Sequence, residues 1–181
     1  MKVIFLDRDG VINEYPGESL YVRNWKEFKF IPGSIEGIRK LNEKDFKIFV
    51  VSNQAGVAKG IYSEDDLNII TKRMKSALRK QRAHLDGVYY CIHRDEDNCL
   101  CRKPKTGLLR RAVESLKETV TETFFIGDSF KDMLTARDFG SRPILVFSGK
   151  EKISNRSNWD FEPDFIFDNF LLAANHLCTR Y

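Results

Sequence analysis

Two carboxylates, Asp7 and Asp9, close the apolar run Val3-Ile4-Phe5-Leu6 within Asp7-Arg8-Asp9-Gly10. Side chains of an extended strand repeat every second residue, so both acids can lean toward one site while Gly10 lets the backbone turn sharply above it. Such a pair suits phosphate chemistry. One carboxylate can attack phosphorus and form an acyl phosphate; the other can protonate the leaving oxygen and then deprotonate water. Three more polar clusters follow apolar runs: Ser52-Asn53-Gln54, Arg102-Lys103-Pro104 and Gly127-Asp128-Ser129, with Asp132 one helical turn later. A phosphomonoester dianion repels an incoming anion, so the nucleophile needs a divalent metal and basic groups beside it. Mg²⁺ prefers oxygen ligands; Asp7, Asp128 and the backbone carbonyl of Asp9 are its expected holders, with Asp132 orienting that shell. Lys103 supplies a fixed positive charge and Ser52 a hydroxyl donor for the phosphoryl oxygens. Taken singly, each cluster also reads as an ordinary loop or cap, and Asp128 could simply cap a helix starting near Phe130.

The elements that must position these groups are legible in the hydrophobic pattern. Short β-branched or aromatic runs at residues 3–6, 48–51, 88–90, 124–126, 144–147 and 165–167 read as strands buried on both faces of a mainly parallel sheet. Helical spacing marks Ile35, Ile38 and Leu41 after Pro32-Gly33-Ser34, and Ser63 with Asp66 forms a capping box ahead of Leu67, Ile70, Met74 and Leu78. Further stripes run through Leu108, Leu109, Ala112, Val113 and Leu116, through Met133, Leu134 and Ala136, and through Leu171, Leu172 and Leu177. The alternation predicts an α/β fold, a Rossmann-like three-layer sandwich. Asp7, Ser52 and Asp128 then fall at the carboxyl edge of the sheet, where open α/β sheets bind ligands. The gaps from Asp9 to Ser52 and from Ser52 to Lys103 are too short for a large cap domain, so an open crevice is expected.

At 181 residues and 42% apolar content, the chain can bury one good core, and residues 1–181 are expected to form a single domain. No stretch approaches the roughly 18 apolar residues of a membrane span, and the first residues lack the pattern of a signal peptide. A soluble cytoplasmic protein is the expectation, with no membrane partner. A net charge of +4 can draw in a phosphorylated small molecule but is too small to imply nucleic-acid binding. Lys72, Arg73, Lys75, Arg79, Lys80 and Arg82 read as a solvated helix face, with no matching exposed aromatics. Residues 148–163 read as a surface loop. No long amphipathic stripe is left uncovered, which predicts a monomer, and Cys178 reads as a small apolar residue of the last helix.

Cys91-x-His93 and Cys99-x-Cys101 supply three thiolates and an imidazole on a short loop, a set that suits tetrahedral Zn²⁺. All four positions would be filled, leaving none for water, so the metal would be structural. The alternative is a loop of reduced, unligated cysteines. The loop ends in Arg102-Lys103, so ordering it would also place two cations over the phosphate pocket.

Asp7-Arg8-Asp9-Gly10, Ser52-Asn53-Gln54, Lys103 and Gly127-Asp128 with Asp132 resemble the four motifs of the haloacid dehalogenase superfamily of phosphatases. That resemblance implies an aspartyl-phosphate mechanism with catalytic Mg²⁺. Residues 7–13, 52–60 and 101–107 are similar to D-glycero-D-manno-heptose 1,7-bisphosphate phosphatases, with histidinol-phosphate phosphatases as near relatives; both subgroups carry a zinc loop of this kind. The resemblance covers residue 1 to about residue 150. It departs at Ile92, where proline is frequent, at Lys59 in place of arginine, and at Ser129 in place of lysine. Only five residues separate His93 from Cys99, as in the histidinol-phosphate relatives. Removal of the 7-phosphate of the heptose bisphosphate is the implied reaction, with histidinol phosphate or another sugar phosphate as alternatives. A reading of a different class is a non-catalytic zinc-stabilised binding protein. Selectivity should lie in residues 13–24, residues 54–61 and the zinc loop, with Asn53, Gln54, Lys59 and Arg102 as candidate substrate contacts. Lys59 reads equally as a surface lysine.

Overall fold

The structure is a computed structural model that describes residues 1–154 and 159–181. Strands β1 (Lys2–Leu6), β2 (Lys47–Asn53), β3 (Gly87–Cys91), β4 (Glu122–Gly127), β5 (Arg142–Val146) and β6 (Phe165–Phe167) form one sheet in the order β3-β2-β1-β4-β5-β6. Every pairing is parallel. Parallel neighbours need crossovers, which are supplied largely by helices α1 (Ser34–Asn42), α2 (Glu64–Lys80), α3 (Gly107–Glu114) and α4 (Phe130–Phe139). Helix α5 (Phe170–Arg180) follows β6.

Strand alternation sorts the apolar residues into two layers. Ile4, Leu6, Ile48, Val50, Phe124 and Ile126 pack with Ile38 and Leu41 of α1, with Ile70, Met74 and Leu78 of α2, and with Phe170 and Leu177 of α5. Val3, Phe5, Phe49, Val51 and Phe125 face the other way, against Leu108, Leu109 and Ala112 of α3 and Ala136 of α4. Central β1 is buried from Val3 to Leu6, which explains its unbroken apolar run. The Ser63–Asp66 capping box forms as expected.

Three sequence expectations are corrected. The buried stripe of α5 is Phe170, Ala173, Ala174 and Leu177, whereas Leu172 is exposed, because the helix turns the i, i+3, i+4, i+7 face that starts at Phe170 toward the core. Leu116 packs against the second layer from beyond the end of α3. Of the loop expected at residues 148–163, residues 155–158 lie outside the described residues, and its first part does not merely cover the surface: Ser148 to Glu151 turn in against Asp128.

The chain builds outward from β1 to β2 and β3, then crosses back to β4 on the other side of β1. Strand order therefore reverses between β1 and β4, and a crevice opens at their carboxyl ends. No cap domain is inserted among the described residues.

Candidate active site

Register brings Asp7 and Asp128 together. Leu6 pairs with Ile126 on one side and Val50 on the other, so the residues just past β1, β2 and β4 meet at one edge. The Asp7 N–H still donates to the Ile126 carbonyl at 3.1 Å, which continues the ladder by one residue. Asp7 Oδ1 accepts from the Arg8 N–H at 2.7 Å and lies 3.1 Å from Lys103 Nζ. Burial pushes the Asp7 carboxyl up to about 6; Lys103 and a hydrogen bond from Ser52 oppose the rise, while Asp132 and Asp9 add to it.

Asp9 is held from three directions. The Arg8 guanidinium reaches it through Nε and Nη2 at 3.0–3.3 Å, Asn13 Nδ2 donates at 2.8 Å, and Gln54 Nε2 donates at 2.8 Å. Arg8 is wholly buried and lies over the Tyr90 ring. Gln54 is buried in turn, accepting from the Tyr62 hydroxyl at 2.7 Å and donating to Ser52 Oγ at 3.2 Å. The Gln54 amide is thus engaged beneath Asp9, and Gln54 is not among the residues that line the crevice.

Lys103 approaches from the other flank of the sheet. Asn53, the last residue of β2, accepts from the Lys103 N–H at 3.0 Å and donates to the Lys103 carbonyl at 3.2 Å. Asn53 lines the crevice, but its side-chain amide holds this backbone. The Lys103 ammonium donates to Asp132 Oδ1 at 2.5 Å and is 3% exposed. Burial alone would favour the neutral amine; Asp132 and Asp7 outweigh it and keep the charge.

Asp128 sits in a cradle made of backbone. Its Oδ2 accepts from the Lys150 N–H at 2.7 Å. A Cβ on Gly10 would come within 2.2 Å of that oxygen and one on Gly149 within 1.9 Å, so only glycine lets both turns close in. Ser129, not Asp128, caps α4: its hydroxyl accepts from the Asp132 N–H, and Asp132 Oδ2 accepts from the Ser129 N–H and hydroxyl. Asp132 thus serves the cap with one oxygen and Lys103 with the other.

Carboxylate oxygens of Asp7, Asp128 and Asp132 lie within 4.8 Å of one another. Burial, followed by repulsion from Asp7 and Asp132, pushes Asp128 well above the usual carboxylate range. Such crowding favours a cation, and an all-oxygen donor set fits Mg²⁺.

The crevice is a cavity of about 240 Å³ reached by Asp7, Asp9, Ser52, Asn53, Arg102, Lys103, Asp128 and Asp132. Sequence reasoning missed Tyr15, Tyr21, Lys131 and Lys150 on its walls. The tyrosines come from the segment already suspected of selectivity; Lys131 and Lys150 stand just past Asp128 and past β5, positions that strand ends would have flagged. Lys59 is exposed, 5.7 Å from the Tyr21 ring centre and outside the crevice wall. A second cavity of about 550 Å³ lies among Glu14, Arg23, Glu27 and Lys29 and contains none of these acids.

Beside the crevice, the sulfurs of Cys91, Cys99 and Cys101 are 3.3–3.6 Å apart, and His93 Nδ1 is 3.6 Å from Cys91 and 3.3 Å from Cys101. No disulfide forms among them. Four donors so placed can surround one tetrahedral ion. Arg102, next along, donates to Asp95 and to the His93 carbonyl.

A HAD-hydrolase-like family model matches residues 100–173. The D-glycero-beta-D-manno-heptose-1,7-bisphosphate 7-phosphatase of Haemophilus influenzae is 41% identical over 158 residues, covering 82% of this chain and 83% of that one. Its namesake from Pseudomonas putida is 34% identical over 177 residues, covering 98% and 99%. Among solved structures, the D,D-heptose 1.7-bisphosphate phosphatase of B. bronchiseptica, complexed with magnesium and phosphate, superposes with a TM-score of 0.92 at 29% identity across 100% of both chains. With the sheet order, the acid cluster and these relatives in agreement, the chain belongs to the haloacid dehalogenase-like family of phosphatases.

Proposed function

We propose that the protein is a Mg²⁺-dependent phosphatase that removes the 7-phosphate of D-glycero-D-manno-heptose 1,7-bisphosphate through an aspartyl-phosphate intermediate. The observation that carries this reading is the placement of Lys103 Nζ between Asp7 and Asp132, with the Asp9 carboxylate held nearby. The names of the relatives supply the substrate.

Asp7 attacks phosphorus and the ester oxygen leaves with a proton from Asp9; Asp9 then takes a proton from the water that opens the acyl phosphate. Arg8, Asn13 and Gln54 keep the Asp9 carboxyl facing that oxygen. Lys103 and the Ser52 hydroxyl meet the phosphoryl oxygens, and Lys103 also holds Asp7 in place. Asp7, Asp128 and the Asp9 carbonyl would hold Mg²⁺, with Asp132 behind them; the bound ion offsets charge on the transferring group. Arg102 is the proposed contact for the far phosphate. Structural Zn²⁺ on Cys91, His93, Cys99 and Cys101 completes the proposal, with residues 1–181 acting as one cytoplasmic, monomeric domain.

The test is phosphate release from heptose 1,7-bisphosphate and from histidinol phosphate, with and without Mg²⁺, compared as kcat/KM. The bisphosphate should be preferred, and Asp7→Asn should abolish turnover in a folded protein. Release from neither substrate would favour a binding role, and turnover unchanged in Asp7→Asn would rule out Asp7 as the nucleophile.

A further inference from the structure

Among the described residues, Arg102 is the one arginine that lines the crevice, and its aim is set by the zinc loop. Arg102 is 15% exposed at its side chain and lines the crevice. Its Nε donates to Asp95 Oδ1 at 2.5 Å and its Nη2 to Asp95 Oδ2 at 3.2 Å, a two-pronged pairing, while Nη1 reaches the His93 carbonyl at 3.3 Å. Asp95 stands two residues past His93, inside the loop that the four metal-binding residues define. Lys131, on the crevice wall, and Lys59 lie close enough to act on the Asp95 charge.

A flexible arginine normally gives up rotamer freedom when it binds an anion. Here the Nε–Nη2 edge and one Nη1 donor are already engaged by the loop, so the plane of the guanidinium is set before a ligand arrives. Two N–H groups, one on Nη1 and one on Nη2, are left over for an anionic oxygen. We infer that Asp95 is a positioning residue for specificity: by clamping Arg102 across the crevice mouth, it sets the enzyme's preference for a substrate with a second phosphate. The inference rests on the bisphosphate reading above. Asp95 touches no reacting atom, so its influence belongs in discrimination between substrates and not in the attack by Asp7.

The experiment compares wild type, Asp95→Asn and Asp95→Glu, each with zinc content measured, on heptose 1,7-bisphosphate and on a simple aryl monophosphate. In Asp95→Asn the loss of kcat/KM on the bisphosphate should exceed the loss on the monophosphate by about fivefold, as expected for one well-oriented charged pair, and should appear mainly in KM. Zinc content should not change, and Asp95→Glu should recover part of the loss. Equal losses on both substrates, no loss on either, or a gain on the bisphosphate would overturn the inference while leaving the bisphosphate reading intact. A wild type that treats both substrates alike would overturn both.

Discussion

Lys103 and Asp132 meet at 2.5 Å in a buried pair, and the same ammonium lies 3.1 Å from Asp7. Burying ions is costly unless each finds partners, and here Asp132 also receives Ser129 of the helix cap. Removing the Asp132 side chain leaves a buried ammonium with less compensation and takes away the reciprocal half of the α4 capping box. Asp132→Ala should therefore lose about 3 kcal/mol of stability, read as a lower urea midpoint. Lys103→Met should lose about two orders of magnitude in kcat, as when a group facing the transferring oxygens is deleted.

The raised carboxyl of Asp7 makes stability depend on pH and on Mg²⁺. With a folded value of about 6 against an ordinary 3.8, the folded protein keeps a proton that the unfolded chain has released. The stabilisation is complete below the unfolded value and is lost as pH climbs through about 6; for Asp7 it amounts to about 3 kcal/mol. Asp128 acts in the same direction. Added Mg²⁺ should raise Tm more at pH 7.5 than at pH 5, since only the ionised acids reward the cation. Equal increments at both pH values would contradict this account.

Cys99→Ser removes one of the four donors gathered around the tetrahedral site. Zinc content should fall well below one per chain, and Tm should fall with it. A variant that kept both its zinc and its Tm would exclude the metal assignment.

Gly149 passes so close to Asp128 that a methyl group there would overlap the carboxylate. Gly149→Ala should weaken Mg²⁺ binding and lower kcat/KM at least tenfold, with a smaller effect on Tm than Asp132→Ala. A Mg²⁺ titration of activity separates the two effects: the apparent Mg²⁺ constant should rise.

All six strands and the starts of most helices were readable because a two-sided parallel sheet leaves unbroken apolar runs such as Val3 to Leu6, which few other settings produce. The acids were readable because strand ends are punctuated by Asp and Gly. Partners that act sideways were harder to see. Nothing local says that the Gln54 amide turns under Asp9, or that Asn53 spends both ends on Lys103, since each depends on register between strands distant in sequence. Likewise Lys150 reaches the crevice only because Gly149 lets its turn fold onto Asp128.

The Asn53 side chain does for Lys103 what a neighbouring strand does for a backbone, taking its N–H and returning a bond to its carbonyl. Asn53 also pairs with Cys91, and the Gln54 N–H donates to the Cys91 carbonyl at 2.7 Å, so the excursion from Cys91 to Lys103 leaves from and returns to the same strand end. Such a loop is tied off at its neck. A change of loop length between His93 and Cys99 should therefore leave the lysine where it is, because both ends of the loop are fastened to the end of β2.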